Sequence, residues 1–133
     1  MGMVGIVVVG HAGLAQALVD AVAAIAGPQE ALIAVDLASD QSPESFQAAL
    51  LQALQQADRG EGVLLLADMA GGTPANQALL LRRSLALPRP YPIVAGVNLP
   101  LLLEVALVRT DTTPEALARR ATTAGIQSVR RLA

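Results

Sequence analysis

Val4-Gly5-Ile6-Val7-Val8-Val9-Gly10-His11-Ala12-Gly13-Leu14 decides how this chain folds: an apolar run, then a histidine bracketed by glycines, then the opening of a helical pattern. A run that is apolar at every position, rather than at alternate ones, suits a parallel strand covered on both faces. Similar runs at Leu32 to Asp36, Val63 to Asp68 and Ile93 to Val97 join Val4 to Val9 to predict four buried parallel strands. Between them lie amphipathic patterns. Leu14, Leu18, Val22 and Ile25 share one helical face, and Phe46, Leu50, Leu54 and Ala57 share one face of the next. The alternation predicts an α/β fold in one domain spanning residues 1–133: a single open, mostly parallel four-stranded sheet with right-handed crossovers and helices on both faces.

Helix starts are punctuated. Ser42-Pro43, Thr73-Pro74 and Thr113-Pro114 each offer a hydroxyl N-cap followed by a proline at the first helical position. Asn98 is placed to cap a helix from Leu99 to about Arg109, with Pro100 inside its permissive first turn. Pro88, Pro90 and Pro92 mark the loop before the fourth strand. The tail from Ile126 to Leu132 fits either an extension of the preceding helix or a half-polar edge strand.

Composition removes several chemistries. All nine basic residues are arginines, and the eleven acids leave a formal charge of −2, which gives no electrostatic footprint for nucleic acid. Without lysine there is no P-loop amine or Schiff base, and without cysteine no disulfide or thiol nucleophile. The apolar stretch from Leu14 to Gly27 contains Gln16 and Asp20, and that from Ile93 to Val108 contains Asn98, Pro100 and Glu104, so neither predicts a membrane span. The N-terminus has no basic n-region, and a cytoplasmic location is expected.

The remaining chemical groups converge on strand ends. Ligands of open α/β sheets bind beyond the carboxyl ends of the strands, where the sequence puts His11, the only histidine, and Asp68. An aspartate accepting from one imidazole nitrogen fixes the tautomer and leaves the other nitrogen as a nucleophile. In Asp68-Met69-Ala70-Gly71-Gly72-Thr73-Pro74, the paired glycines admit a close ligand, and the next helix points its N-terminus there. Backbone amides, helix dipole and the Thr73 hydroxyl suit a phosphoryl group, with Gly10 and Gly13 offering a second set of amides. Taken singly, each signal has a plainer reading: a structural histidine, a helix-capping aspartate, a tight turn at Gly71-Gly72, a cap at Thr73. Their joint placement points to a site. At least two of the pairs Arg82-Arg83, Arg119-Arg120 and Arg130-Arg131 read as solvated helix faces, against docking of an acidic partner, and Glu104 as a buried polar group or an interface contact.

Three blocks, Val8-Val9-Gly10-His11-Ala12-Gly13-Leu14-Ala15, Asp68-Met69-Ala70-Gly71-Gly72-Thr73-Pro74 and Val94-Ala95-Gly96-Val97-Asn98-Leu99-Pro100-Leu101-Leu102, occur in an order and spacing that resembles the IIA component (EIIA) of the mannose/fructose/sorbose family of the bacterial phosphoenolpyruvate:sugar phosphotransferase system (PTS). The resemblance covers nearly the whole chain. It implies a phosphocarrier in which His11 accepts a phosphoryl group from HPr and passes it to a IIB component for sugar uptake, with Asp68 orienting the ring and Met69, Gly71, Gly72 and Thr73 binding the phosphoryl group. No metal or cofactor is implied. It also implies a homodimer exchanging an antiparallel C-terminal edge strand, for which Ile126 to Leu132 is the segment. Two positions depart from the mannose-type pattern: Met69 replaces a hydroxyl residue and Ala70 an aromatic one, leaving the Met69 backbone amide in place of a hydroxyl contact. The chain ends where a IIA domain ends, so the IIB partner is expected on a separate polypeptide, without direct membrane insertion and with association to a membrane permease complex left open. The alternative is a stand-alone regulatory PTS protein whose phosphorylation state controls a partner. A third reading, donation to a dihydroxyacetone kinase, is disfavoured by the GGTP and GVNLP blocks.

Overall fold

The computed structural model describes residues 2–84 and 90–133, so Pro88 of the predicted loop lies outside the described residues. Four strands, β1 (Gly5–His11), β2 (Leu32–Leu37), β3 (Val63–Ala67) and β4 (Ile93–Ala95), form one sheet in the order β2-β1-β3-β4. Every pairing is parallel, with Val8 level with Ala34 on one side and Leu66 on the other. Five helices connect and cover them: α1 (Leu14–Ala26), α2 (Pro43–Ala57), α3 (Thr73–Arg83), α4 (Leu99–Leu107) and α5 (Pro114–Ser128).

Unbroken apolar runs arise because both faces of the central strands are buried. Ile6 and Val8 of β1, with Leu64 and Leu66 of β3, face a core completed by α1, α4 and α5. The intervening Val7, Val9, Leu65 and Ala67 face α2 and α3 through Phe46, Leu50, Leu54, Ala75 and Ala78. Each fully buried valine or leucine contributes about 1.5 to 3 kcal/mol over its exposed state. Gly5 has a steric reason: a Cβ there would stand 2.2 Å from the Ala57 carbonyl oxygen, so only glycine lets β1 lie this close to α2.

The predicted α2 face of Phe46, Leu50, Leu54 and Ala57 is the buried one. In α1 the stripe is rotated: Ala15 and Val22 are buried and Leu18 and Val19 pack beside them, whereas Leu14 and Ile25 are exposed. Ser42, Asn98 and Thr113 cap α2, α4 and α5, accepting from the amides of Ser45, Leu101 and Ala116. Thr73 does not cap α3. The N-cap is Gly72 and Thr73 is the first helical residue, because a proline is tolerated anywhere in a first turn and does not fix which residue precedes the helix. Of the two readings of the tail, the single chain shows the helix extension in part: α5 runs on through Ser128, and residues 129–133 have no regular structure.

Arg109, read from sequence only as a helix end, is 3 % exposed. Its guanidinium donates to the carbonyls of Ala31 (3.0 Å) and Val4 (3.5 Å) and to that of Glu30, tying the end of α4 to the beginnings of β1 and β2. Burial, with Arg59 nearby, holds its pKa below the usual arginine value. Tyr91, also buried, donates its hydroxyl to the Ala78 carbonyl (2.7 Å), and burial pushes its phenol up to about 12. Glu104 accepts from Arg120 at 2.9 Å near the surface.

Candidate functional site

The chain passes from β1 outward to β2 and then returns to β3 on the opposite side of β1, so the strand order reverses between β1 and β3. At such a reversal the connections leave in opposite directions and open a crevice at the carboxyl ends. His11 is the last residue of β1, and Asp68 follows directly on β3, its amide still bonded to the Val9 carbonyl (3.0 Å). The two side chains meet there. Asp68 Oδ2 accepts from His11 Nδ1 at 2.7 Å and from the His11 amide at 3.1 Å. A carboxylate only accepts, so the hydrogen sits on Nδ1 and the lone pair of Nε2 is left for a substrate. The Asp68 side chain is 8 % exposed and the imidazole 40 %, which gives an anchored base under an accessible ring.

The other edge of the ring lies against the start of α3. Gly71 turns the chain with φ 83, a conformation that favours glycine. Gly72 has an ordinary φ of −89 but a different constraint: a Cβ on it would lie 2.8 Å from His11 Cε1 and 3.2 Å from Nε2. The absence of a side chain at residue 72 therefore leaves the room that the nucleophilic edge of the imidazole occupies. Here α3 begins with no side-chain cap, unlike α2, α4 and α5. Its first-turn amides have no intrahelical acceptor, and the helix dipole adds positive potential beside Nε2.

His11, Asp68, Gly72 and the start of α3 at Thr73 are thus gathered in one place. The Met69 amide, expected at the phosphoryl group, instead donates to Asp68 Oδ1 at 2.8 Å, which stiffens the carboxylate. The amides behind Gly13 are also engaged: those of Ala15 and Gln16 donate to the two oxygens of Asp36, each at 2.9 Å. The sequence signals Asp36 only as the one acid inside the apolar run Leu32-Ile33-Ala34-Val35-Asp36-Leu37. Asn98 accepts from Leu101 and donates to Ser128 Oγ (3.0 Å), holding the end of α5 beside the start of α4.

A groove of about 540 Å³ lies between α4 and the C-terminal tail, bordered by Pro100, Glu104, Gln127, Arg130 and Leu132, and includes neither His11 nor Asp68. The imidazole is 40 % exposed at the strand ends, where another macromolecule can reach it. Among the described residues no three His, Asp or Glu side chains come together as metal ligands would.

The chain is similar to known proteins over most of its length. The model of the "PTS system fructose IIA component" family matches residues 5–122. The fructose-specific EIIA component of Bacillus subtilis is 35 % identical over 107 residues, covering 80 % of this chain and 71 % of that protein. The mannose-specific EIIAB component of Escherichia coli K12 is 31 % identical over 108 residues, 81 % of this chain but only 32 % of that longer protein. Among solved structures, an EIIA component from Streptococcus agalactiae superposes with a TM-score of 0.88 at 24 % identity, covering 97 % of both chains. A mannose/sorbose-specific IIA subunit from Enterococcus faecalis gives 0.84 at 25 % identity, over 99 % of this chain and 96 % of that one.

Proposed function

The chain belongs to the PTS system fructose IIA component family, within the mannose/fructose/sorbose group, and on that premise we propose that it is a phosphocarrier whose His11 Nε2 takes a phosphoryl group from phospho-HPr and passes it to a IIB component. The observation that carries the reading is the 2.7 Å contact of Nδ1 with Asp68, set beside the open start of α3 at Gly72. The Nε2 lone pair attacks phosphorus, the bond to the donor imidazole breaks, and the donor nitrogen keeps that electron pair. The ring gains positive charge, which Nδ1–H shares with the Asp68 carboxylate. The equatorial oxygens meet the Gly72, Thr73 and Ala75 amides at the head of α3, placed where charge spreads in the transition state. Among the expected phosphoryl contacts, Gly71 supplies the turn and Met69 supports Asp68.

An open histidine suits a relay, because both donor and acceptor must reach the same nitrogen in turn. No described helix is long and apolar enough to cross a membrane, which agrees with a cytoplasmic carrier. A homodimer is part of the proposal. β4 is an edge strand of three residues, and Ile126, Val129 and Leu132 are exposed at the tail, so an open edge and an apolar segment are both available for a second copy.

Incubation with phosphoenolpyruvate, enzyme I and HPr tests the carrier role by intact-mass spectrometry. One acid-labile phosphoryl group is expected on the wild type and none on a folded His11→Ala variant. Label retained by that variant contradicts the reading.

A further inference from the structure

The helix that follows His11 has no cap of its own. Its N-cap is Gly13, with φ 85 and no side-chain hydrogen bond. The cap comes from the neighbouring strand, as Asp36 receives the amides of Ala15 and Gln16 on its two oxygens at 2.9 Å each. Gly10, level with Asp36 in the sheet, makes the approach possible: a Cβ there would lie 3.2 Å from Asp36 Oδ1 and 3.1 Å from the Ala15 nitrogen. Between His11 and this clamped turn the chain takes two left-handed residues, Ala12 (φ 54) and Gly13 (φ 85). The first is unfavourable for a residue with a Cβ and persists only where the surroundings hold it. They do: Ala12 donates to the Leu37 carbonyl (3.1 Å) on one side, and α1 is pinned by Asp36 on the other.

We propose that Asp36 is a positioning residue for His11. Its carboxylate fixes the turn that sets the ring and neutralises the start of α1, so that of the two helix N-termini beside the histidine only that of α3 is open to a dianion. The inference rests on the phosphocarrier reading. A helix start carries about half a positive charge, and an uncapped α1 would compete with α3 for the phosphoryl oxygens.

Amide spectra recorded during titration with inorganic phosphate test this without needing phosphotransfer. In the wild type, phosphate moves the amide resonances of Thr73 and Ala75 and leaves those of Ala15 and Gln16 in place; in Asp36→Ala, Ala15 and Gln16 respond as well. In parallel, kcat for acceptance from phospho-HPr falls about tenfold to a hundredfold, as small displacements of reacting groups do, while KM for HPr stays within about twofold. Asp36→Asn, which keeps one accepting oxygen without the charge, falls between the two and carries both readouts if the alanine variant does not fold. Silent Ala15 and Gln16 amides in the variants, wild-type responses as large at α1 as at α3, or an unchanged kcat would each overturn the assignment. A wild-type His11 that takes no phosphoryl group overturns the carrier reading instead, and the titration still decides the role of Asp36.

Discussion

Gly72→Ala isolates the space shared by residue 72 and the ring. The backbone accepts alanine, because φ is −89 there. The new methyl carbon would stand 2.8 Å from His11 Cε1, about 0.7 Å inside the closest comfortable carbon–carbon separation. Either α3 or the imidazole must yield. α3 is held by Ala75 and Ala78 in the core, and the ring is the more exposed partner, so the ring moves and strains its 2.7 Å bond to Asp68. A displacement approaching 1 Å at a reacting atom costs about a hundredfold in rate. The fold loses little, about 1 kcal/mol for a weakened hydrogen bond. Rapid-quench measurement of phosphoryl acceptance from phospho-HPr, with thermal unfolding alongside, should therefore show a large kinetic loss at nearly normal stability. A variant within about threefold of the wild-type rate would refute the claim that the bare backbone at residue 72 sets the ring.

Asp68→Asn keeps the shape but puts an amide where the carboxylate receives Nδ1–H and two backbone amides, so phosphoryl acceptance should drop by about a hundredfold or more, with a stability loss of about 1 to 3 kcal/mol by chemical denaturation. Tyr91 is the only tyrosine, and the chain has no lysine or cysteine, so alkaline titration between its unfolded value of 10.0 and its folded value of about 12 reports this one phenol. The unfolded chain loses that proton first, so stability is full below about pH 10 and declines as pH rises towards 12; Tyr91→Phe should flatten that slope, checked by denaturation at stepped pH. Arg109→Met strands the Val4 and Glu30 carbonyls, leaves that of Ala31 with the Ile6 amide alone, and should lower stability by about 2 to 4 kcal/mol, with Arg109→Lys rescuing little because its ammonium cannot fork to all three.

Local rules made much of this molecule legible. Continuous apolar runs identified all four strands: in the central β1 and β3 burial on both faces leaves no position for a polar side chain, while the edge strands β2 and β4 keep apolar runs though only partly buried, and Ser42, Asn98 and Thr113 marked their helices through bonds made within three residues. His11 and Asp68 were legible because each ends a strand, and neighbouring strand ends share one edge of the sheet. What failed depends on contacts distant in sequence. Asp36 caps a helix some 20 residues away, and Arg109 serves carbonyls from the other end of the chain. Gly125 lies inside α5, where Leu101 occupies the space a Cβ would take, at 2.8 Å. Gly72 read as half of a turn, while its actual constraint is the imidazole across the crevice.

Locating the phosphorus by NMR on protein carrying ¹⁵N-labelled histidine tests the central claim most directly, since His11 is the only histidine and its two nitrogens are the only candidates. With Nδ1 committed to Asp68, phosphorus should couple to Nε2 while Nδ1 keeps its proton. Coupling to Nδ1 would contradict the account.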